Sequence, residues 1–311
     1  ACGTAYHAGI VGKYILESLA RIPVEVDLAS EFRYRDPVIG KDHLVIIISQ
    51  SGETLDTLVA LKEAKKKGAR VLGIVNVVGS SIAREASRVL YTWAGPEIAV
   101  ASTKAYSTQL AALYLFAVDF ACKRGELDPA RASHLVESMK ALPGQLEQLL
   151  SDNTEIQRAA ARHFGAKSIF YIGRGLDYAL SMEGSLKLKE ISYIHSEAYA
   201  GGELKHGTIA LIEEGTLVVC PVTQTVLVEK MISNMREVKA RGAVVLAVAM
   251  RSQAERLKDA ADSIIEVPDT DPLLSTLLAI PPLQLFAYYV AVAKGCDVDR
   301  PRNLAKSVTV E

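Results

Sequence analysis

Cysteine is scarce and poorly placed for metal or disulfide chemistry. Only Cys2, Cys122, Cys220 and Cys296 occur in 311 residues, no two at C-x-x-C spacing and none near a histidine at ligand spacing. The six histidines are scattered. We therefore expect no metal site and no cofactor. The thiols read as reduced and mostly buried, as in a cytoplasmic protein. An excess of one charge is also missing: 35 Lys and Arg are interspersed with 36 Asp and Glu. That leaves no electrostatic case for nucleic acid or an anionic membrane. No charged segment followed by an apolar one marks a signal peptide. The most membrane-like stretch, Leu273 to Ala293, is broken by Pro281-Pro282 and interrupted by Ser275, Thr276 and Gln284. A buried helix preceded by a Pro-marked turn is expected there.

What is present is apolar substance and alternation. Half the residues are hydrophobic, enough for two domains each with a core. Leu44 to Ile48 is a short β-branched run typical of a strand buried on both faces. Leu55 to Lys67 follows at helical spacing and is closed by Gly68. Val71 to Val75 and Val89 to Tyr91 read as strands, and His7 to Leu19, Ser80 to Ser87 and Thr103 to Lys123 as helices. The second half repeats the scheme. Strands are expected at Ser168 to Ile172, Leu217 to Cys220, Val244 to Val248 and Ile264 to Val267, with helices through Glu190 and over Val226 to Arg241. Gly3 matches Gly173, and Val71-Leu72-Gly73 matches Val245-Leu246-Ala247, at an offset on the order of 170 residues. This predicts a duplicated α/β domain with parallel sheets and helices on both faces. The expected boundaries are 1–145, 146–296 and a tail, 297–311. The opening Ala1-Cys2-Gly3-Thr4 reads as the end of a strand whose body lies outside the chain, so the chain is expected to be the C-terminal part of a longer protein.

Four segments carry chemistry. Ser49-Gln50-Ser51-Gly52-Glu53-Thr54 joins the C-terminal end of a buried strand to the start of a helix. Open α/β sheets bind ligands at that end, and free N–H groups at a helix start favour phosphate. A helix cap needs one Ser or Thr; three hydroxyls and a Gly exceed that need. The matching Cys220-Pro221-Val222-Thr223-Gln224-Thr225 has no Gly and fewer hydroxyls, which predicts a single phosphate site, in the first domain. On the helix from Ala179 to Glu190, Glu183, Lys187 and Glu190 share a face. A carboxylate beside an ammonium can serve as a base, although the pattern by itself fits an exposed ion-pair row better. His206 lies among Gly201, Gly202 and Gly207, as either a ligand-facing or a solvated loop residue. The tail from Arg300 to Glu311 contains Lys306, one lysine among many.

Taken together, Cys2-Gly3-Thr4, Ser49 to Thr54, Val100 to Ala105, Leu186 to Ile191, Gly202 to Gly207 and Asp297 to Glu311 resemble the glucosamine-6-phosphate synthases, the isomerizing glutamine–fructose-6-phosphate aminotransferases. The resemblance covers the isomerase half of that family. It implies two tandem flavodoxin-like three-layer α/β/α sugar isomerase (SIS) domains plus a C-terminal tail. It implies conversion of fructose 6-phosphate and ammonia to glucosamine 6-phosphate, in amino-sugar biosynthesis. Carried over by position, Ser49, Gln50, Ser51 and Thr54 bind the phosphate, while Thr4, Val100, Ser102 and Ala305 line the sugar. Lys306 forms an imine with C2, a better electron sink than the ketone. Glu190 moves the proton from C1 to C2 with Lys187 nearby, and His206 of the partner subunit opens the ring. The resemblance also implies a homodimer in the cytoplasm, with the glutaminase domain and its N-terminal cysteine nucleophile absent from this chain. Two positions depart from the family: Ala5 stands where Ser is usual and Thr208 where Pro is usual. Plain ketose–aldose isomerisation, acting on glucose 6-phosphate as the aldose, is one alternative. A non-catalytic sugar-phosphate sensor is another, which would need neither Glu190 nor Lys306.

Overall fold

A run of β-branched residues favours a covered strand, and Leu44–Ser49 (β1) is covered at its C-terminal end, where Ile47, Ile48 and Ser49 are buried, although β1 is an edge strand of its sheet. A computed structural model describes residues 1–306 of the chain. The tail residues 307–311 lie outside the described residues. The chain forms two compact units. The first holds Ala1–Leu127 and, from the tail, Arg302 to Lys306; the second is Asp128–Pro301.

In the first unit α1 (Gly3–Ala20) and the short α2 (Ala29–Phe32) precede β1. Then α3 (Leu55–Lys66), β2 (Arg70–Val75), α4 (Ser81–Glu85), β3 (Arg88–Tyr91) and α5 (Lys104–Arg124) alternate. The strands are parallel in the order β1-β2-β3, with Ser49 level with Val75. Ile47, Leu61, Val71, Val75 and Ile82 form the core between this sheet and α3 and α4. On the other face α1 packs along α5. Parallel pairing of this kind puts the strand C-termini, and the loops that follow them, at one edge.

The second unit opens with α6 (Pro129–Leu150), whose N-cap Asp128 accepts N–H bonds from Ala130 and Arg131 ahead of Pro129. Next come α7 (Thr154–His163), β4 (Ser168–Gly173), α8 (Leu176–Ser192), β5 (His195–Ala200), β6 (Leu217–Val222), α9 (Val228–Lys239), β7 (Val244–Met250), α10 (Arg251–Leu257), β8 (Ser263–Val267) and α11 (Ser275–Ala293). The parallel sheet has the order β5-β4-β6-β7-β8. Numbered within the unit this is 2-1-3-4-5, the flavodoxin-like order, with its switch point between β4 and β6. The run β6-α9-β7-α10-β8-α11 repeats β1-α3-β2-α4-β3-α5, and α8 against α11 repeats α1 against α5. The expected duplication is thus present over these elements, while β4 and β5 have no counterpart among the described residues of the first unit.

Several expectations need correction. The units divide at Asp128, because α6 belongs with the second unit; a boundary at 145 falls inside this helix, about three quarters of the way along it. Similarly, residues 297–301 of the expected tail belong with the second unit and Arg302 to Lys306 with the first. Pro281-Pro282 lies inside α11 and does not precede it. Each proline removes an intrahelical hydrogen bond, at roughly 3 kcal/mol in an ordinary helix. Leu277, Leu278, Ile280, Leu283 and Phe286 offset this by burial, each worth about 1.5–3 kcal/mol. Helices α5 and α11 are long and apolar enough to span a membrane by length and composition, yet 56% and 61% of those windows are buried inside the protein. The cysteines are all free, but only Cys220 is buried and Cys122 is exposed.

Candidate functional site

The loop after β1 is held open from below. Gly52 has φ +67°, and a Cβ there would lie 2.0 Å from Ser80 Oγ, so the position demands glycine. The loop's own carbonyls are used by the next crossover: Asn76 N–H donates to Gln50 O at 3.2 Å and Ile82 N–H to Gly52 O at 3.0 Å. Glu53 turns away to cap α4, accepting the Ser81 N–H at 2.8 Å. Those bonds from Ser81 hold the Glu53 carboxyl below the usual carboxylate range. Ser49 Oγ accepts the Gly52 N–H at 3.0 Å and Ser51 Oγ accepts the Glu53 N–H at 3.1 Å. Ser51 Oγ still has its proton to donate, while Ser49 Oγ shares a further hydrogen bond with Thr54 Oγ1 at 3.4 Å. The hydroxyls that exceed the need of a helix cap thus also brace the turn.

This loop forms one wall of a cavity of about 120 Å³ within the first unit. Of the residues named from sequence, Thr4, Ser49, Gln50, Ser51, Thr54, Ser102 and Lys306 line it. Thr4 comes from the first turn of α1, Ser102 from the segment before α5, and Lys306 from the returning tail. Lys306 Nζ donates to Ala99 O. Val100 and Ala305 are not among the lining residues. Cys2, Ala5, Ile48, Thr57, Ala105 and Gln109 line the cavity too, and no role was read for Thr57 or Gln109. Gln109 is 2% exposed, and its Oε1 has no hydrogen-bond partner. Its only sequence signal is a polar residue on the apolar face of α5.

The second unit carries the other candidates. On α8, Lys187 Nζ lies 3.6 Å from Glu183 and donates to Glu190. The exposed ion-pair row that the spacing suggested is instead buried: the side chains of Glu183 and Lys187 are 0% and 3% exposed. Glu190, at 21%, is the accessible end of the triad. Burial would lower the Lys187 pKa, but the Glu183 and Glu190 charges outweigh it and hold the ammonium above its ordinary range. The helix is buried nearly all round because Gly184 lets Leu283 of α11 and Tyr171 of β4 pack against it; a Cβ there would come within 2.8 Å of Leu283. His206 ends a short 3-10 turn, Leu204–His206, and is exposed. Among the described residues no cluster of three His, Cys, Asp or Glu could hold a metal.

The family model of the SIS domain matches residues 1–119 and 164–294. The chain belongs to the SIS domain family. Within that class it is similar to the isomerizing glutamine–fructose-6-phosphate aminotransferase of Caldanaerobacter subterraneus subsp. tengcongensis, 63% identical over the whole chain. The chain spans about half the length of that relative, 51%. Among solved structures it is similar to the C-terminal domain of glucosamine-fructose-6-phosphate aminotransferase from Francisella tularensis. That match has a TM-score of 0.93 and 40% identity and covers 96% of this chain and 85% of the other. Glucosamine-6-phosphate deaminase from Thermotoga maritima, at 24% identity and TM-score 0.79 over 99% and 88% of the two chains, shares the fold.

Proposed function

We propose that this chain is the sugar-phosphate half of an isomerizing glutamine–fructose-6-phosphate aminotransferase. It converts fructose 6-phosphate and ammonia to glucosamine 6-phosphate and water. The observation that carries this reading is that Lys306 and the loop Ser49 to Thr54 line one cavity. A phosphate anchor and a primary amine in one site suit a keto-sugar phosphate, the anchor placing C2 for imine formation.

In this reading Ser49, Gln50, Ser51 and Thr54 hold the phosphate, and Thr4, Val100, Ser102 and Ala305 the sugar. Lys306 forms the imine at C2. Glu190 carries the proton from C1 to C2; its exposure relative to Glu183 supports it as the carboxylate that meets substrate. Lys187 donates to Glu190 and so positions its carboxylate. His206 of the partner subunit opens the ring, which makes the working form a homodimer in the cytoplasm, with ammonia delivered by a glutaminase domain outside this chain. The test is incubation with fructose 6-phosphate, with and without ammonium, and identification of the products. Glucosamine 6-phosphate formed only with ammonium is the expected result. Glucose 6-phosphate in both arms would replace the reading with plain isomerisation. Binding without any product would replace it with a sensor.

A further inference from the structure

The loop after β6 is the topological twin of the loop after β1. Each follows the strand that begins the repeated run, and each leads toward a helix of 12 residues, α3 or α9. Each lies at the strand end where an open α/β sheet takes its ligand. In the first unit that loop faces a cavity. In the second unit its donors are already in use.

The occupant is Asp177, in the first turn of α8. Its carboxylate accepts the Thr223 N–H at 2.8 Å and the Gln224 N–H at 3.3 Å on Oδ2, and the Thr223 hydroxyl at 2.5 Å on Oδ1. Two successive backbone N–H groups and a hydroxyl are the donor set a phosphate loop offers. Thr223 Oγ1 lies 2.7 Å from Ser275 Oγ, and Gln224 Nε2 donates to Ser275 Oγ and Pro272 O at 3.0 Å. Asp177 is 1% exposed and Thr223 and Ser275 are 0% exposed. Among the described residues no cation pairs with Asp177. The charge is therefore balanced by amide and hydroxyl dipoles alone, as for a phosphate bound at a loop. Asp177 opens the helix that follows β4, so it reaches the loop after β6 across the β4/β6 switch point.

We propose that Asp177 is a built-in anion. Its carboxylate fills the phosphate-type loop of the second unit, closes that loop to sugar phosphate, and ties the β4–α8 turn to the β6–α9 loop. The chain therefore takes one phosphate, through its first unit. This rests on reading the loop after β1 as the phosphate site.

Two measurements test it. The first is amide hydrogen exchange on the intact chain with and without inorganic phosphate. Phosphate is expected to protect the amides of 50–54 and to leave those of Thr223 and Gln224 unchanged. Protection of Thr223 and Gln224 would show an open site and overturn the proposal. Absence of protection at 50–54 would instead overturn the first-loop reading alone. The second uses a Ser51→Ala, Thr54→Val background, in which the first loop is weakened. There Asp177→Ala is expected to gain a phosphate-dependent rise in unfolding temperature, on the order of 3 °C at about tenfold the dissociation constant, that equal ionic strength of chloride does not give. Asp177→Asn, which keeps the shape, is expected to gain none. Equal phosphate responses in the Ala and Asn variants would overturn the proposal.

Discussion

Gly52 packs against Ser80 with no room for a side chain: a Cβ on the glycine would sit 2.0 Å from Ser80 Oγ and 2.5 Å from Ser80 Cβ. Gly52→Ala therefore meets two obstacles, a left-handed backbone at φ +67° and a buried side chain that cannot swing clear. We expect a stability loss of about 2–4 kcal/mol and at least a tenfold weaker affinity for sugar phosphate. Ser80→Gly in the same chain should recover part of both. Denaturant unfolding and phosphate titration of the single and double variants form the cycle; independent, additive effects would show that the two residues do not meet.

Ser80 alone makes a second, opposite prediction. It stands at the N-cap of α4, where Ser→Ala ordinarily costs about 1 kcal/mol. Here it makes no capping bond, and its buried Oγ has no partner. The cap is supplied instead by Glu53, which accepts the Ser81 N–H. Ser80→Ala should be neutral or stabilising, by up to about 1 kcal/mol, since it removes an unsatisfied hydroxyl. A loss above that in chemical denaturation would mean the hydroxyl is bonded in solution.

Much of this was legible in the sequence, for identifiable reasons. Strand β1 announced itself because a run of Leu, Val and Ile suits only a doubly covered strand, and the Ser49 to Thr54 loop because hydroxyls and a glycine crowd six positions. Strand β5 did not. His195 to Ala200 is polar and has a neighbour only on the β4 side, so sheet pairing and not side-chain pattern makes it a strand. The burial of Lys187 was also hidden: helical spacing says which residues share a face, not that α11 will cover it. Gln109 and Thr57 reach the cavity through packing of α5 and α3. Asp177 meets Thr223 across 46 residues, a distance no local pattern spans.

Lys306 and Glu190 separate binding from chemistry. Lys306→Ala should abolish turnover while sugar-phosphate binding persists, because the loop after β1 is untouched. Glu190→Gln should stop exchange of the C1 proton of fructose 6-phosphate with solvent deuterium. Product assay, calorimetric binding and proton NMR give the three readouts. Turnover at the parent rate in the first variant would remove the imine role, and exchange at the parent rate in the second would remove the base.

Lys187 should matter to stability as much as to activity. Its removal by Lys187→Ala leaves Glu183, 0% exposed, without the ammonium 3.6 Å away. Breaking a buried pair in this way costs about 3–5 kcal/mol, and Lys187→Met with Glu183→Gln should cost less than Lys187→Ala alone. The raised Lys187 pKa sets the alkaline limit. Its contribution is fully present below the ordinary lysine value of about 10.4 and fades as pH rises past it toward the folded value. Thermal unfolding at pH 8 and pH 11 should show a larger drop for the parent chain than for the double variant; parallel drops would mean the pair is not the source.

Asp177 carries the acid-side prediction. Burial raises its pKa to about 6, against the Thr223 and Gln224 hydrogen bonds that pull it down. An unfolded aspartate titrates near about 3.9. Between these values the folded protein holds a proton that the unfolded chain has released. Stability from this group is therefore fully present below about pH 4, falls as pH rises to about 6, and is level above. The fall amounts to about 3 kcal/mol, two pKa units at 1.36 kcal/mol each. Asp177→Asn keeps the acceptor for both N–H groups and its amide can donate to Thr223 Oγ1, so the variant should fold. It should lose the slope between pH 4 and 6 and equal or exceed the parent chain at pH 7. Urea unfolding at pH 4, 5, 6 and 7 on both proteins measures the slope. An unchanged slope in Asp177→Asn would assign it to another carboxylate, and a variant much weaker than the parent at pH 7 would mean the ionised form is held more favourably than burial allows.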